Sequence, residues 1–296
     1  MQTHRAIPDL FPARRQRLRF IESVVRWEGA VQRQRVCDAL HVTPNHLTRD
    51  FTLYKRAYPT HLIYDLSSRC YRAGPDFKPE LATGGAEEYL ALLRLHTEAR
   101  ESHGITDDLP GLPGPSSADV VPMPVGAVDG HVLQLITRAI ASEGALMVTY
   151  QSMRTADPSA RTLWPHALVF SGYRWFVRAF DSKHGRFGDF VLSRLTRVKT
   201  ATKSRPLEAS PAADREWQDH LIVEVVPAPQ LSDAQAAVVA REYGMRRRAG
   251  QWSWQPSVRR SMVPYFILFH RLDAAGVERI ALTDRLLLTQ FAFAEN

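Results

Sequence analysis

The sequence has only two cysteines in 296 residues, Cys37 and Cys70, and they stand at no metal-binding or redox spacing. A disulfide framework is therefore excluded, and two buried thiols in a reducing compartment are the plain expectation. There is no run of about 18 apolar residues, so a membrane-spanning helix is not expected. The opening stretch MQTHRAIPDLFPARRQR lacks the apolar core of a secretory signal, which points to a cytoplasmic protein. Internal repeats and low-complexity tracts are missing as well. The strand-rich middle has no paired carboxylates, no metal-ligand spacing, no nucleophile elbow and no Gly-rich phosphate loop. Neither metal nor cofactor is expected, and enzyme chemistry is disfavoured.

What is present is an uneven charge. The chain carries a formal net charge of +7, and residues 1–80 hold 14 Lys/Arg against 8 Asp/Glu, while the remainder holds 24 against 23. Lysine and arginine neutralise phosphates and release counterions, so a locally basic module points to nucleic acid.

That basic segment reads as a helix-turn-helix with a wing. Leu18, Ile21 and Val25 fall at helical spacing in 14–27, before Gly29. A second helix covers 32–40, with Val36 and Leu40 one turn apart. In HVTPNHLTRDFTLYKR (41–56), Thr43 suits an N-cap and Pro44 the first helical position. Leu47, Phe51 and Tyr54 take the inner face. Asn45, His46, Thr48, Arg49, Thr52 and Lys55 are left on the outer one. Residues 61–74 (HLIYDLSSRCYRAG) read as two strands joined around Ser67-Ser68, placing Arg69 on a wing. A helical hairpin that merely packs, with Arg49 and Lys55 solvated, is the alternative.

A linking helix is expected from Gly84 to about Ala99, and the Pro/Gly-rich stretch 104–126 reads as a linker. A second domain opens near Val128 with a helix (Val132, Leu135, Ile136, Ile140) and continues as strands near 145–153, 161–170, 173–181 and 188–199. The strand YRWFVRAFD (173–181) holds Arg178 between Phe176 and Phe180. Its guanidinium is either paired to an internal acid or waiting for an external anion. A third unit starts at HLIVEVVP (220–227). Ser232 and Gln235 form a capping box, Gly244 ends the helix, and 257–272 reads as helix interrupted by Pro264. Val258, Met262, Phe266 and Phe269 place more apolar surface there than a small unit hides alone.

In this order the pieces resemble the WYL-domain transcription regulators of bacteria. The resemblance rests on VTYQS (148–152), ARTLWPHALVFSGYRWFVRAFD (160–181) and FVLSRLTRV (190–198), with Trp175-Phe176-Val177 where the family has Trp-Tyr-Leu. LIYDLSSRCYRAGPDF after the recognition helix resembles the wing of the BrxR/CapW-type repressors of phage-defence operons.

The resemblance implies an α+β chain of four parts. These are a winged helix-turn-helix (1–80), a linking helix and linker (81–127), an Sm-like β-barrel WYL domain (128–203), and a mixed α/β C-terminal dimerisation domain (204–296). It implies a homodimeric repressor of a phage-defence operon, bound to double-stranded operator DNA over an inverted repeat. Thr43, Asn45, His46, Thr48, Arg49, Lys55 and Arg69 would meet DNA. A nucleotide or nucleic-acid ligand would be sensed by Tyr150, Ser152, Arg161, His166, Arg178, Ser193 and Arg194, the arginines offering planar donor forks to phosphate. Three alternatives stand beside it. Arg194 pairs with Asp181 or Asp189, and His166 is a structural histidine. The regulator activates rather than represses. Or His166 serves as general base of a nucleotide-processing enzyme.

Overall fold

The computed structural model describes residues 11–82, 85–103, 118–123, 126–274 and 279–291. The chain divides into two compact units, Met1–Val125 and Gly126–Asn296. Most of the expected linker, residues 104–117 and 124–125, lies outside the described residues. Among them, no helix is long and apolar enough to cross a membrane.

The first unit runs α1 (Pro12–Glu28), β1 (Ala30–Gln32), α2 (Arg33–Leu40), α3 (Pro44–Ala57), β2 (Leu62–Asp65), β3 (Cys70–Ala73) and α4 (Ala86–His103). Leu18, Ile21 and Val25 of α1 are buried with Val36 of α2 and Leu47, Phe51 and Tyr54 of α3 in one core. The two wing strands pair as expected, but a third joins them: β1 pairs with β3, giving the sheet order β1-β3-β2. Three residues are too few to show a period, so β1 left no mark in the sequence. Gly74 closes the wing against the backbone, where a Cβ would stand 1.9 Å from the Thr60 carbonyl oxygen.

The second unit opens with α5 (Gly130–Ser142), which Asp129 caps by accepting the His131 and Val132 N–H groups at 2.7 and 3.1 Å. Then follow β4 (Ala145–Tyr150), β5 (Ser159–Phe170), β6 (Trp175–Asp181), β7 (Arg186–Val191) and β8 (Leu195–Ala201), antiparallel in the order β7-β6-β5-β4-β8. The single strand expected over 188–199 is two strands, because a 3₁₀ turn at Leu192–Arg194 swings the chain from one edge of the sheet to the other. Among the described residues no ladder joins β7 to β8. The sheet is therefore open, where a closed Sm-like barrel was expected.

Helix α5 covers one face of this sheet, enclosing Val132, Ile136, Leu146, Val148, Tyr150, Val177 and Ala179. On the other face Phe176 packs with Tyr265, and Phe180 with Ala209. Strand β6 is thus buried on both faces from Phe176 to Asp181, which is why apolar residues flank Arg178 on either side.

The rest of the second unit is α6 (Arg215–Gln218), β9 (His220–Ile222), β10 (Val225–Pro227), α7 (Asp233–Glu242), β11 (Arg246–Arg248), β12 (Gln251–Ser253), β13 (Ser257–Arg259), α8 (Val263–Phe269), β14 (Ile280–Leu282) and α9 (Leu286–Gln290). Its strands form three two-stranded pairs, β9 with β13, β10 with β14 and β11 with β12. The Ser232–Gln235 capping box is formed. Pro264 does not interrupt a long helix. It lies in the first turn of α8, after the separate strand β13, where a missing N–H is harmless. The apolar surface expected to await a partner is mostly used inside the unit. Val258 and Phe266 pack on the Val223–Ile267 core and Met262 beside Phe176, leaving Phe269 exposed.

Candidate functional site

Two regions carry the candidate residues, one in each unit. In the first, α3 is anchored by its inner face and bare on its outer one. Asp50, its only acidic residue, is fully buried and accepts from Arg14 Nε at 2.9 Å and Arg17 Nε at 2.6 Å. This pairing holds α1 against α3 and removes the helix's one negative charge from its exposed surface. Asn45, His46, Thr48, Arg49, Thr52 and Lys55 are all exposed.

Thr43 occupies the N-cap position, but its side chain makes no cap bond. Its hydroxyl meets the His46 ring at 3.2 Å instead. Arg33, which the periodicity passed over as an ordinary α2 residue, reaches Thr48 Oγ1 at 3.4 Å and the Tyr71 hydroxyl at 3.2 Å.

The wing turn is held by Asp65. Its carboxylate accepts from the side chains of Ser68 (2.7 Å), Ser67 (2.7 Å) and Arg72 (2.8 Å) and from the Ser67 backbone. These bonds, that from Ser68 first, keep the acid well below the usual carboxylate range. Arg69 stands exposed on that turn with φ 50°.

In the second unit the seven expected ligand residues fall into three groups. Ser152 and Arg161 line an open cleft of ≈ 150 Å³, with the buried ring of Tyr150 beneath Arg161. Arg161 lies over the rings of Tyr150 and Phe190, at 5.4 and 5.6 Å, and donates to Asp181 at 2.5 Å. His184 meets the same carboxylate at 2.6 Å. Arg154, Lys183 and Arg186 line the cleft beside Phe187, so its rim carries four Lys/Arg against the single acid Asp181. Sequence reading missed these three; the basic run KHGR (183–186) at the β6–β7 turn was the available signal.

His166 and Arg178 stand apart from that cleft. Both are nearly fully buried, their side chains 4% exposed. Arg178 grips Asp214 with two bonds, Nε to Oδ2 and Nη2 to Oδ1, both 2.8 Å. It also reaches Asp189 at 3.3 Å and Glu216 at 3.2 Å. His166 Nε2 meets Asp214 Oδ2 at 2.9 Å.

Burial alone would raise the Asp214 pKa, but the bonds and charges of Arg178 and His166 outweigh it and hold the acid at about 2. Asp189 goes the other way: burial pushes it up more strongly than Arg178 and Tyr265 pull it down. Asp214 belongs to no strand and no periodic segment, so nothing in the sequence marked it as the partner of Arg178.

Ser193 and Arg194 form the third group. They lie on the 3₁₀ turn between β7 and β8, Ser193 exposed and Arg194 half-buried, and neither lines the cleft. Asp181 and Asp189, the acids considered for Arg194, bond Arg161 and Arg178 respectively.

The two regions coincide with known families. Residues 13–95 match the BrxR transcriptional regulator winged helix-turn-helix domain, 131–200 the WYL domain, and 220–291 the BrxR transcriptional regulator C-terminal dimerization domain. The DNA-binding transcriptional repressor CapW of Escherichia coli is 34% identical over 230 residues, 77% of this chain and 74% of that protein. The CapW of Stenotrophomonas maltophilia is 31% identical over 269 residues, 90% and 85% of the two chains. Among solved structures, the proteasome accessory factor B/C of Arthrobacter aurescens is 15% identical with a TM-score of 0.28. It is matched over 95% of this chain and 46% of that one, a likeness too loose to argue from. With three domain matches in the same order and over 30% identity along most of its length, the chain belongs to the BrxR/CapW family of WYL-domain transcriptional regulators.

Proposed function

We propose that this protein is a DNA-binding transcriptional repressor of a phage-defence operon that acts as a homodimer on an inverted-repeat operator. An anionic, phosphate-bearing ligand, a nucleotide or nucleic acid, releases it by binding the cleft around Arg161. The observation that carries the DNA reading is the outer face of α3. Asn45, His46, Thr48, Arg49 and Lys55 are exposed together while the helix's one acid is turned inward onto Arg14 and Arg17. Such a face offers amide and guanidinium groups to base edges and cations to phosphates, with no carboxylate to repel them. Thr43 at the helix start and Arg69 on the wing extend it at either end.

The repressor sign is supported by the CapW relatives, which are DNA-binding transcriptional repressors, and the dimer by the match over 220–291 to a dimerization domain. An inverted repeat follows from placing two identical readers about a two-fold axis. For the ligand, the support is the excess of cations around Arg161 beside the aromatic Phe187 and Phe190. A gel shift and footprint on the DNA upstream of the protein's own gene test this reading. A protected inverted repeat, lost in high salt, is the expected result. Equal affinity for unrelated DNA would refute the operator.

A further inference from the structure

Two residues expected to meet an anion already hold one that comes from the chain itself. Asp214 presents its two oxygens to Arg178 as a carboxylate or phosphate ligand would, with two parallel 2.8 Å bonds, and takes a third from His166 at 2.9 Å. It lies between the WYL match, which ends at 200, and the dimerization match, which begins at 220. The segment that delivers it, 202–219, contributes no strand. It consists of two 3₁₀ turns and the four-residue α6. No β-ladder would have to break for it to lift.

Its hold is mostly made of side chains, with one backbone bond at its end, where the Arg260 N–H donates to the Asp219 carbonyl at 2.8 Å. Ala209 sits with Trp164 and Phe180, Trp217 lies edge-on to His166 at 5.5 Å, and Arg259 stacks over Trp217 at 4.5 Å. The site approaches solvent at Glu216. Glu216, its side chain 62% exposed, caps the outer side of Arg178 at 3.2 Å. A dianionic phosphate brings more charge and more acceptor oxygens to a guanidinium than one carboxylate does, and so can replace it.

We propose that His166 and Arg178 form a second phosphate-binding site, closed in this structure by Asp214 and Glu216, and that a phosphate-bearing ligand occupies it by displacing the strap 207–218. The strap leads directly into the dimerization match, so its displacement changes how the sensing sheet is joined to that region. This rests on the reading that the WYL domain senses an anion. It adds a site separate from the Arg161 cleft and an internal competitor for it.

Calorimetric titration of the full chain with inorganic pyrophosphate tests the proposal. Neutralising a competitor favours the external anion, so Glu216→Gln and Asp214→Asn are each expected to bind pyrophosphate about tenfold more tightly than the parent, or with one added site. Glu216 is exposed, so its variant keeps the test open if Asp214→Asn unfolds. Affinity and stoichiometry unchanged in Glu216→Gln and in folded Asp214→Asn, including no binding by any protein, overturn the proposal and make the strap a permanent structural bond. Arg161→Ala, measured beside them, reports on the cleft alone. If it binds as the parent does while the strap variants gain, the cleft reading fails and the second site stands.

Discussion

The hydroxyl of Tyr54 on the recognition helix donates to the carboxylate of Glu22 on α1 across 2.7 Å, with both side chains fully buried. The same carboxylate accepts the backbone N–H groups of Leu81 and Ala82, each at 2.7 Å, so one acid ties the first helix, the recognition helix and the chain beyond the wing. Burial first, then the Glu22 charge, hold the Tyr54 phenol far above its usual range, which keeps it a donor. Tyr54→Phe leaves that buried acceptor one partner short and should cost about 1–3 kcal/mol. The check is a lower urea midpoint for unfolding of the first unit. The outer face of α3 is untouched, so operator affinity without urea should stay near that of the parent.

Arg49 and Lys55 share the exposed face of α3 but should fail differently. On the proposed DNA reading, Arg49, nearer the N-terminal half, faces the major groove, and its loss should remove a two-bond guanine contact worth about 1–3 kcal/mol of discrimination. Lys55, near the C-terminal end, should touch phosphate. Lys55→Ala should weaken all sequences about equally and reduce the salt slope by about one contact. Gel shifts on operator and scrambled DNA at several salt concentrations separate the two. Unchanged operator affinity in Arg49→Ala would displace the helix from this role.

The winged helix was legible in the sequence because each of its helices carries its own start, stop and period: Pro44 opens α3, and Leu47, Phe51 and Tyr54 fall on one side. The wing was legible through its turn around Ser67-Ser68. What the sequence hid were contacts made by irregular or very short pieces. Strand β1 is three residues long, and Asp214 sits between two 3₁₀ turns and a four-residue helix. Nothing local distinguishes such an acid from a solvated one. The ligand residues were therefore grouped by the family resemblance alone, and the structure parts them into an open group at Arg161, a closed one at Arg178 and a pair, Ser193 and Arg194, on the 3₁₀ turn.

The place of Asp214 also decides where the chain can be cut. Ending it near Lys203 removes the partner of Arg178 and His166, whereas ending it at Asp219 keeps that pairing and still deletes the whole dimerization match. The 1–219 chain should sediment as a monomer and bind an inverted-repeat operator much more weakly than the full chain, two half-sites no longer being linked. The 1–203 chain should in addition melt lower. If the 1–219 chain remains a dimer, the interface lies outside 220–291.

Acid should loosen the same junction. The folded pKa of Asp214, at about 2, is below the ordinary carboxylate value near 4, so its contribution is fully present above about pH 4 and is lost as pH falls toward 2. Its size is on the order of 2 kcal/mol. Asp189 has the opposite sign: its raised folded pKa favours the protonated form, so it gains relative stability as pH falls from that raised value toward about 4, above the range in which Asp214 loses it. Asp214→Asn should therefore flatten the acid side of the stability profile of the second unit, measured by urea unfolding between pH 5 and 2. A profile as steep as the parent's would assign the acid sensitivity to other carboxylates.

Arg178 and Arg161 make the sharpest contrast, since the sequence offered both as walls of one pocket. Arg178 is 3% exposed and surrounded by Asp214, Asp189 and Glu216, so Arg178→Ala leaves two buried acids without their cation. Breaking a buried pair from one side costs about 3–5 kcal/mol, and this variant should melt early and lose operator binding together with any response. Arg178→Lys keeps the charge but cannot reproduce the fork on Asp214, and should fall between the two. Arg161 is different. It lines an open cleft, and its acid Asp181 keeps two other partners, His184 at 2.6 Å and the Lys183 backbone N–H at 3.0 Å. Arg161→Ala should melt close to the parent and bind operator normally, yet repress in cells without release when the inducing signal arrives. Thermal melting and a gel shift on each purified variant, with a promoter-reporter assay in cells, distinguish these outcomes. An Arg178→Ala protein that melts with the parent would show that the acids around it are satisfied without it, and an Arg161→Ala protein that still releases its promoter would take the sensing role away from the cleft.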